Sequence, residues 1–285
     1  MNATIAVAQI DSVLGNVEKN VELHCAYTEQ ALQAGADMVV FPELSLTGYT
    51  IRDMNWDLAM RPADPPVVYR PLLEMSRKIP VLAGGVEEGE RFGIYNSAFL
   101  FEDGVVRSMH RKIYPPTYGM FEEMRYFSQG DSVRAVDTKV GRIGVLVCED
   151  LWHLSLPYLL AIDGATAIVS LTASPTRLGG DTETLRAKQV NEENHQAYAR
   201  LLSVYLVFCN RVGFEDGVNF WGGSAVVGPS GEPVASGKLF EPDLLLARLD
   251  ENNVRRARRF SRHLLDEDPR LVRRELDRIL GNNKL

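Results

Sequence analysis

GVLVCEDLWH, residues 144–153, carries a short apolar run into Cys148 and follows it at once with Glu149 and Asp150. Valine and leucine in a run this short predict a buried strand, RIGVLVC (142–148), that delivers a cysteine at its end. Two acidic neighbours make a thiolate harder to form. Cys148 is therefore either a packing thiol or a nucleophile whose base and positive charge come from distant parts of the chain.

Outward from this stretch, strand-like and helix-like runs alternate. TIAVAQI (4–10), DMVVF (37–41), VLAGG (81–85), IYNSAFLFE (94–102), AIVSL (167–171) and YLVFCN (205–210) read as strands. Helical spacing is expected over 17–34, with Val17, Val21, Cys25, Thr28 and Leu32 on one face and a stop at Gly35. Further helices are expected over 67–79, 156–165 and 183–203, the last with Ala187, Val190, Asn194, Ala197, Tyr198 and Leu201 on one side. GSAVVGPSGEPVASG (223–237) carries a hairpin signal at Pro229-Ser230-Gly231, and LLLARLD (244–250) is expected to pair after it. The strands spread along the whole chain without repeats or linkers, which predicts one α/β domain of sheets covered by helices.

The 285 residues, 45% hydrophobic and 24% charged, are those of an ordinary globular protein. A net charge of −7 argues against nucleic acid as a partner. Residues 251–285 hold ten Lys/Arg against six Asp/Glu. This basic, amphipathic tail suits packing over the body or a contact with another subunit better than RNA or lipid. No basic start with a long apolar core opens the chain, and no run approaches a membrane span. Cys25, Cys148 and Cys209 are odd in number and widely spaced, which fits a reducing cytoplasm. The five histidines show no ligand spacing, so neither a metal nor another cofactor is expected.

Three stretches place a reactive residue at a strand end, where α/β folds build sites. DMVVFPELSLTGY (37–49) presents Glu43, MHRKIYPPTYGMFEEMRYF (109–127) presents Lys112 before a Pro-Pro loop, and GVLVCEDLWH presents Cys148. One carboxylate, one ammonium and one thiol suffice for acyl transfer without histidine. The carboxylate takes the thiol proton as sulfur attacks, and the ammonium holds the developing oxyanion.

FPELSLTGY, HRKIYPPTYGMFEEMRYF and CEDLWH, in this order, resemble the three signature segments of the nitrilase (carbon–nitrogen hydrolase) superfamily. The resemblance runs from about residue 3 to about residue 250. It implies a four-layer αββα sandwich over 1–250 that pairs into an αββααββα dimer, with 251–285 as a tail on the body or the dimer interface. It also implies a triad of Glu43, Lys112 and Cys148, with Glu123 as a supporting carboxylate and Glu122 the adjacent alternative. CEDLW, TASP (172–175) and PTYGMFEE are similar to the glutaminase domains of glutamine-dependent NAD synthetases, although the Ser-Gly-Gly-x-Asp-Ser loop of their synthetase domain is absent.

Around the triad, Tyr118 lines the pocket or packs, and Ser174 meets a polar substrate tail or simply turns the chain before Pro175. Glu149 and Asp150 anchor loops or recognise an amino group. Backbone N–H groups after Cys148 are candidates to join Lys112 in holding the oxyanion. The expected activity is hydrolysis of a small linear amide through a cysteine thioester. The alternatives are a glutamine amidase subunit feeding ammonia to a partner synthetase, a nitrile or N-carbamoyl hydrolase, and a non-catalytic scaffold.

Overall fold

The computed structural model describes residues 1–176 and 181–282. One six-stranded sheet contains β1 (Asn2–Gln9), β2 (Met38–Val40), β3 (Val81–Glu88), β4 (Ile94–Glu102), β5 (Val105–Arg111) and β14 (Asp243–Asp250), in the order β14-β1-β2-β3-β4-β5. The second contains β6 (Val136–Thr138), β7 (Gly141–Val147), β8 (Ala167–Thr172), β9 (Tyr205–Asn210), β12 (Ala225–Val227) and β13 (Pro233–Ser236), in the order β13-β12-β9-β8-β7-β6. A small ribbon joins β10 (Val212–Glu215) to β11 (Val218–Trp221). The helices are α1 (Val17–Gln33), α2 (Asn55–Leu58), α3 (Arg70–Ser76), α4 (Glu123–Tyr126), α5 (Ser155–Ile162), α6 (Asp181–Leu202), α7 (Glu251–Phe260) and α8 (Pro269–Asn282).

Alternation along the strands builds the layers. Ile5 and Val7 of β1, Met38 and Val40 of β2, Val145 and Val147 of β7, and Val169 and Leu171 of β8 meet between the two sheets. The opposite-facing Ala6, Ala8, Val39, Val81 and Ala83 pack with Val21 and Ala31 of α1 and Leu72 of α3. On the far side, Leu146, Ile168 and Leu206 pack with Leu156 and Leu160 of α5 and Ala199 of α6. Each buried aliphatic side chain contributes about 1.5–3 kcal/mol, so the three apolar layers specify the αββα order. The four-layer expectation holds.

Three local expectations are corrected. The 244–250 strand does not follow the 225–236 hairpin in its sheet. It crosses to pair antiparallel with β1, from Asn2↔Asp250 to Gln9↔Asp243, which covers the edge that β1 would otherwise expose. The buried face of α6 is Asn191, His195 and Ala199, and Leu201 faces solvent. Apolar spacing misplaced that face because two of its three residues are polar. In α1 the buried set is Asn20, Val21, His24, Thr28 and Ala31, with Cys25 only half-buried. Asn20 and His24 are accommodated by hydrogen bonds: His24 Nδ1 meets Asn20 O at 2.6 Å and Nε2 meets Ser45 Oγ at 2.9 Å. Burial holds the His24 ring neutral, with its pKa lowered to about 4.

In the tail, Val254 and Ala257 of α7 are buried on the body, while Leu271, Leu276, Ile279 and Leu280 of α8 are exposed. No helix among the described residues is long and apolar enough to cross a membrane.

Gly84 of β3 lies against the turn that follows β2. A Cβ there would sit 2.4 Å from Leu44 N, 2.6 Å from Pro42 O and 2.8 Å from Glu43 Cα, all backbone atoms. We expect Gly84→Ala to destabilise the fold by about 1–3 kcal/mol, read as a lower denaturant midpoint, because neither backbone can yield easily.

Candidate active site

β2 and β3 run parallel, and β3-β4-β5 is an antiparallel meander, so β5 runs in the direction of β2. Their ends therefore deliver Glu43 and Lys112 to the same edge of the first sheet. In the second sheet, β7 ends directly at Cys148, which opens a 3₁₀ turn over Cys148–Trp152. Cys148 adopts φ 47°, and Leu44, just after Glu43, adopts φ 49°. Both reactive turns thus use a left-handed conformation that non-glycine residues seldom occupy.

Asp150 holds the cysteine turn. Its Oδ1 accepts the Ile113 and Tyr114 N–H groups at 2.9 and 3.0 Å, and its Oδ2 accepts Val147 N–H at 3.2 Å and faces His110 Nε2 at 2.9 Å. A single buried carboxylate thereby ties the residues after Lys112 to the turn that carries Cys148. On the other flank, buried Glu87 accepts Arg111 Nε at 3.0 Å and Ser97 Oγ at 2.6 Å, fixing β5 one residue before Lys112.

The structure brings Glu43, Lys112, Glu123 and Cys148 together. The Lys112 ammonium donates to Glu43 Oε1 and Glu123 Oε1, each at 2.8 Å, with all three side chains buried. Glu43 Oε1 also accepts from Asn96 Nδ2 at 2.8 Å, and its Oε2 accepts Ala173 N–H at 2.9 Å. Glu123 Oε1 also accepts the Tyr49 hydroxyl at 2.7 Å. Glu122 is exposed and precedes α4, so of the two adjacent glutamates it is Glu123 that reaches the lysine.

Burial alone would lower the Lys112 pKa, but Glu123 and Glu43 outweigh it and hold the ammonium firmly charged. Burial raises the Glu123 carboxyl, opposed by Lys112 and reinforced by Glu43. The Cys148 thiol is pushed well up by burial and then by the Glu43 charge, against the pull of Lys112. The resting thiol is neutral at pH 7 and requires a base at the moment of attack. Glu43 is the neighbouring carboxylate that can take the proton.

The Tyr118 hydroxyl donates to Glu149 Oε2 at 2.8 Å at the exposed rim. Ser174 N–H donates to Asn210 Oδ1 at 2.8 Å, and Ser174 Oγ accepts from Trp221 Nε1 at 3.0 Å. The pocket beside Cys148 is walled by Trp152, Ser174, Asn191, Asn194, His195 and Phe208. Burial keeps His195 neutral, its pKa lowered to about 3. Residues 177–180 of the loop expected to shape this pocket lie outside the described residues. Sequence reading missed Asn96, Tyr49 and the polar α6 face. Tyr49 ends the quoted FPELSLTGY stretch, whereas nothing local marks Asn96 or His195. Among the described residues no cluster of His, Cys, Asp and Glu is arranged to hold a metal ion.

A carbon–nitrogen hydrolase family model matches residues 4–259. The chain belongs to the carbon–nitrogen hydrolase family. This family member is 32% identical over 256 residues to the glutamine-dependent NAD(+) synthetase of Thermotoga maritima, covering 88% of this chain and 43% of the relative. It therefore spans less than half the length of that curated relative. The structure of a glutamine-dependent NAD+ synthetase from Acinetobacter baumannii superposes with a TM-score of 0.77 at 28% identity, covering 89% of this chain and 47% of that one. A carbon–nitrogen hydrolase from Helicobacter pylori G27 superposes with a TM-score of 0.84 at 26% identity, covering 93% and 95% of the two chains. The hydrolase is an α/β enzyme of nitrilase type that acts on carbon–nitrogen bonds.

The raised Cys148 thiol has a measurable consequence. Alkylation of Cys148 in the free enzyme should accelerate about tenfold per pH unit, with no plateau below about pH 9, because the thiolate fraction keeps rising until the pH passes the thiol pKa. A plateau near neutrality, followed by mass spectrometry of the labelled peptide, would show a preformed thiolate instead.

Proposed function

We propose that the enzyme hydrolyses the C–N bond of a small linear amide through a thioester on Cys148. The observation that carries this reading is the buried Lys112 ammonium, 2.8 Å from both Glu43 and Glu123, beside a cysteine in a strained turn. Glu43 takes the thiol proton as sulfur attacks the amide carbon. Lys112 and neighbouring backbone N–H groups hold the oxyanion beside the half-buried Cys148. Glu43 returns the proton to nitrogen, the C–N bond breaks, and ammonia or an amine leaves. Water, deprotonated by the same carboxylate, then attacks the thioester, and collapse releases the acid and restores the thiol. Glu123 supports Lys112, and Tyr118, Glu149 and Ser174 contact the substrate at the rim.

A second reading is favoured by the partial coverage of the synthetase relatives. In it, the substrate amide is that of glutamine, and the ammonia passes to a partner synthetase. The exposed Tyr118–Glu149 pair would suit an amino group at the pocket mouth. In either reading the body is residues 1–250, and the 251–285 tail contributes to a homodimer through the exposed apolar side chains of α8. We place the enzyme in the cytoplasm, in keeping with its unpaired cysteines.

Ammonia release should be measured across glutamine, other ω-amides, aliphatic amides, N-carbamoyl amines and nitriles. We expect release from an amide class, abolished in Cys148→Ala and cut by about 10²–10³-fold in Lys112→Met, the order of effect of losing an oxyanion donor. Silence of the wild type across the panel would overturn the small-amide reading of these residues. Glutamine as the sole substrate would favour the ammonia-supplying role.

A further inference from the structure

Glu123 is anchored through one oxygen. Its Oε1 accepts both Lys112 Nζ and the Tyr49 hydroxyl, whereas its Oε2 is buried without a hydrogen-bond partner among the described residues. The direction of this carboxylate therefore depends on two donors, and one of them, Tyr49, lies outside the triad.

Tyr49 is itself gripped from the opposite side of its backbone. Glu215 Oε1 accepts the N–H groups of Tyr49 and Thr50 at 2.9 and 2.6 Å. Glu215 Oε2 accepts Arg211 Nη1 at 2.8 Å, and both side chains of this ion pair are buried. The Arg211 guanidinium stacks over the Phe220 ring at 4.3 Å, and Tyr49 meets the same ring edge-on at 5.7 Å. Gly48 makes the close approach possible, since at φ 84° a Cβ would lie 2.7 Å from Leu14 Cα and 3.0 Å from Glu215 Oε2. Arg211 also follows Asn210, whose Oδ1 accepts the Ser174 N–H. Two successive residues at the end of β9 thus hold the Ser174 loop and the Tyr49 loop.

We propose that Tyr49 is a positioning residue, clamped by Glu215 and Arg211, that aims the Glu123 carboxylate at the Lys112 ammonium. The proposal rests on the amidase reading of the site. Tyr49 is neutral and donates, so it favours the charged form of Glu123 without adding a countercharge that would compete for Lys112. The other groups facing Glu123 are Lys112, which also favours its ionisation, and Glu43, which opposes it. Removing the hydroxyl leaves Glu123 easier to protonate and Lys112 less well aimed, while the pocket at Cys148 is untouched.

The test uses Tyr49→Phe, Glu215→Gln and Glu215→Ala with the best amide of the panel. Thermal unfolding is followed alongside to confirm that each variant is folded. Tyr49→Phe should lower kcat about tenfold with KM changed by less than about threefold. Its acidic limb of kcat against pH should move up by about one unit, since the carboxylate then protonates at higher pH. Glu215→Gln keeps an oxygen for the two N–H groups and should retain more activity than Glu215→Ala, a graded rescue that a purely structural role would not produce. An active wild type together with a Tyr49→Phe variant of unchanged kcat and unchanged acidic limb would overturn the proposal and leave the amidase reading intact. A silent wild type would overturn the amidase reading itself.

Discussion

A lysine ammonium enclosed by protein and shared between two carboxylates is the constraint on which the rest of this structure depends. Moving an ammonium or a carboxylate out of water costs several kcal/mol even after relaxation, and the cost is offset only when charges and remaining lone pairs find well-placed partners. Lys112 meets both Glu43 and Glu123 at 2.8 Å. Asn96, the Ala173 N–H and the Tyr49 hydroxyl then occupy most of the carboxylate positions left over. Removing one partner of such a cluster costs about 3–5 kcal/mol, because a buried charge is left behind. Structure and proposed chemistry are therefore coupled here: the contacts that make the cluster tolerable also fix the groups proposed as base and oxyanion donor.

The two turns beside this cluster store strain, and the surrounding hydrogen bonds secure it. A left-handed conformation costs a non-glycine residue about 1–2 kcal/mol. Cys148 and Leu44 both adopt one. Asp150 over-determines the cysteine turn by linking it to the Ile113 and Tyr114 amides, to Val147 and to His110. The turn after β2 is fixed by its backbone approach to Gly84. The strain thus sits at Cys148 itself and next to Glu43, and the anchors come from strands of both sheets.

The sandwich also explains how three chain segments more than thirty residues apart converge. The sheets meet through alternating Val, Ile, Leu and Ala side chains, which leaves the strand ends β2, β5 and β7 on a common edge. The acidic neighbours of Cys148 then take separate roles. Asp150 turns inward as an acceptor of backbone N–H groups, and Glu149 turns to the rim and accepts from Tyr118. The thiolate is disfavoured by burial and by the Glu43 and Glu123 charges rather than by these two neighbours, and the ammonium from another strand offsets only part of that.

Much of this was legible from residue order alone. Short apolar runs that end in Glu43 and Cys148 declare themselves as strands carrying reactive residues, since period and β-branching are local properties. The alternation of strands with helices likewise determined the layered α/β class. Lys112 was legible only together with Glu43 and Cys148, through the resemblance of the three segments, since a lone lysine before Pro-Pro is as a rule solvated. Tertiary structure alone decided which oxygen faces which donor. The crossing of β14 to β1, the Asn96 contact, the polar inner face of α6 and the Arg211–Glu215 grip on Tyr49 join residues tens to hundreds of positions apart. Periodicity encodes where apolar side chains are buried, but a buried polar group is acceptable only where its partner lies, and that partner is specified by the assembled fold.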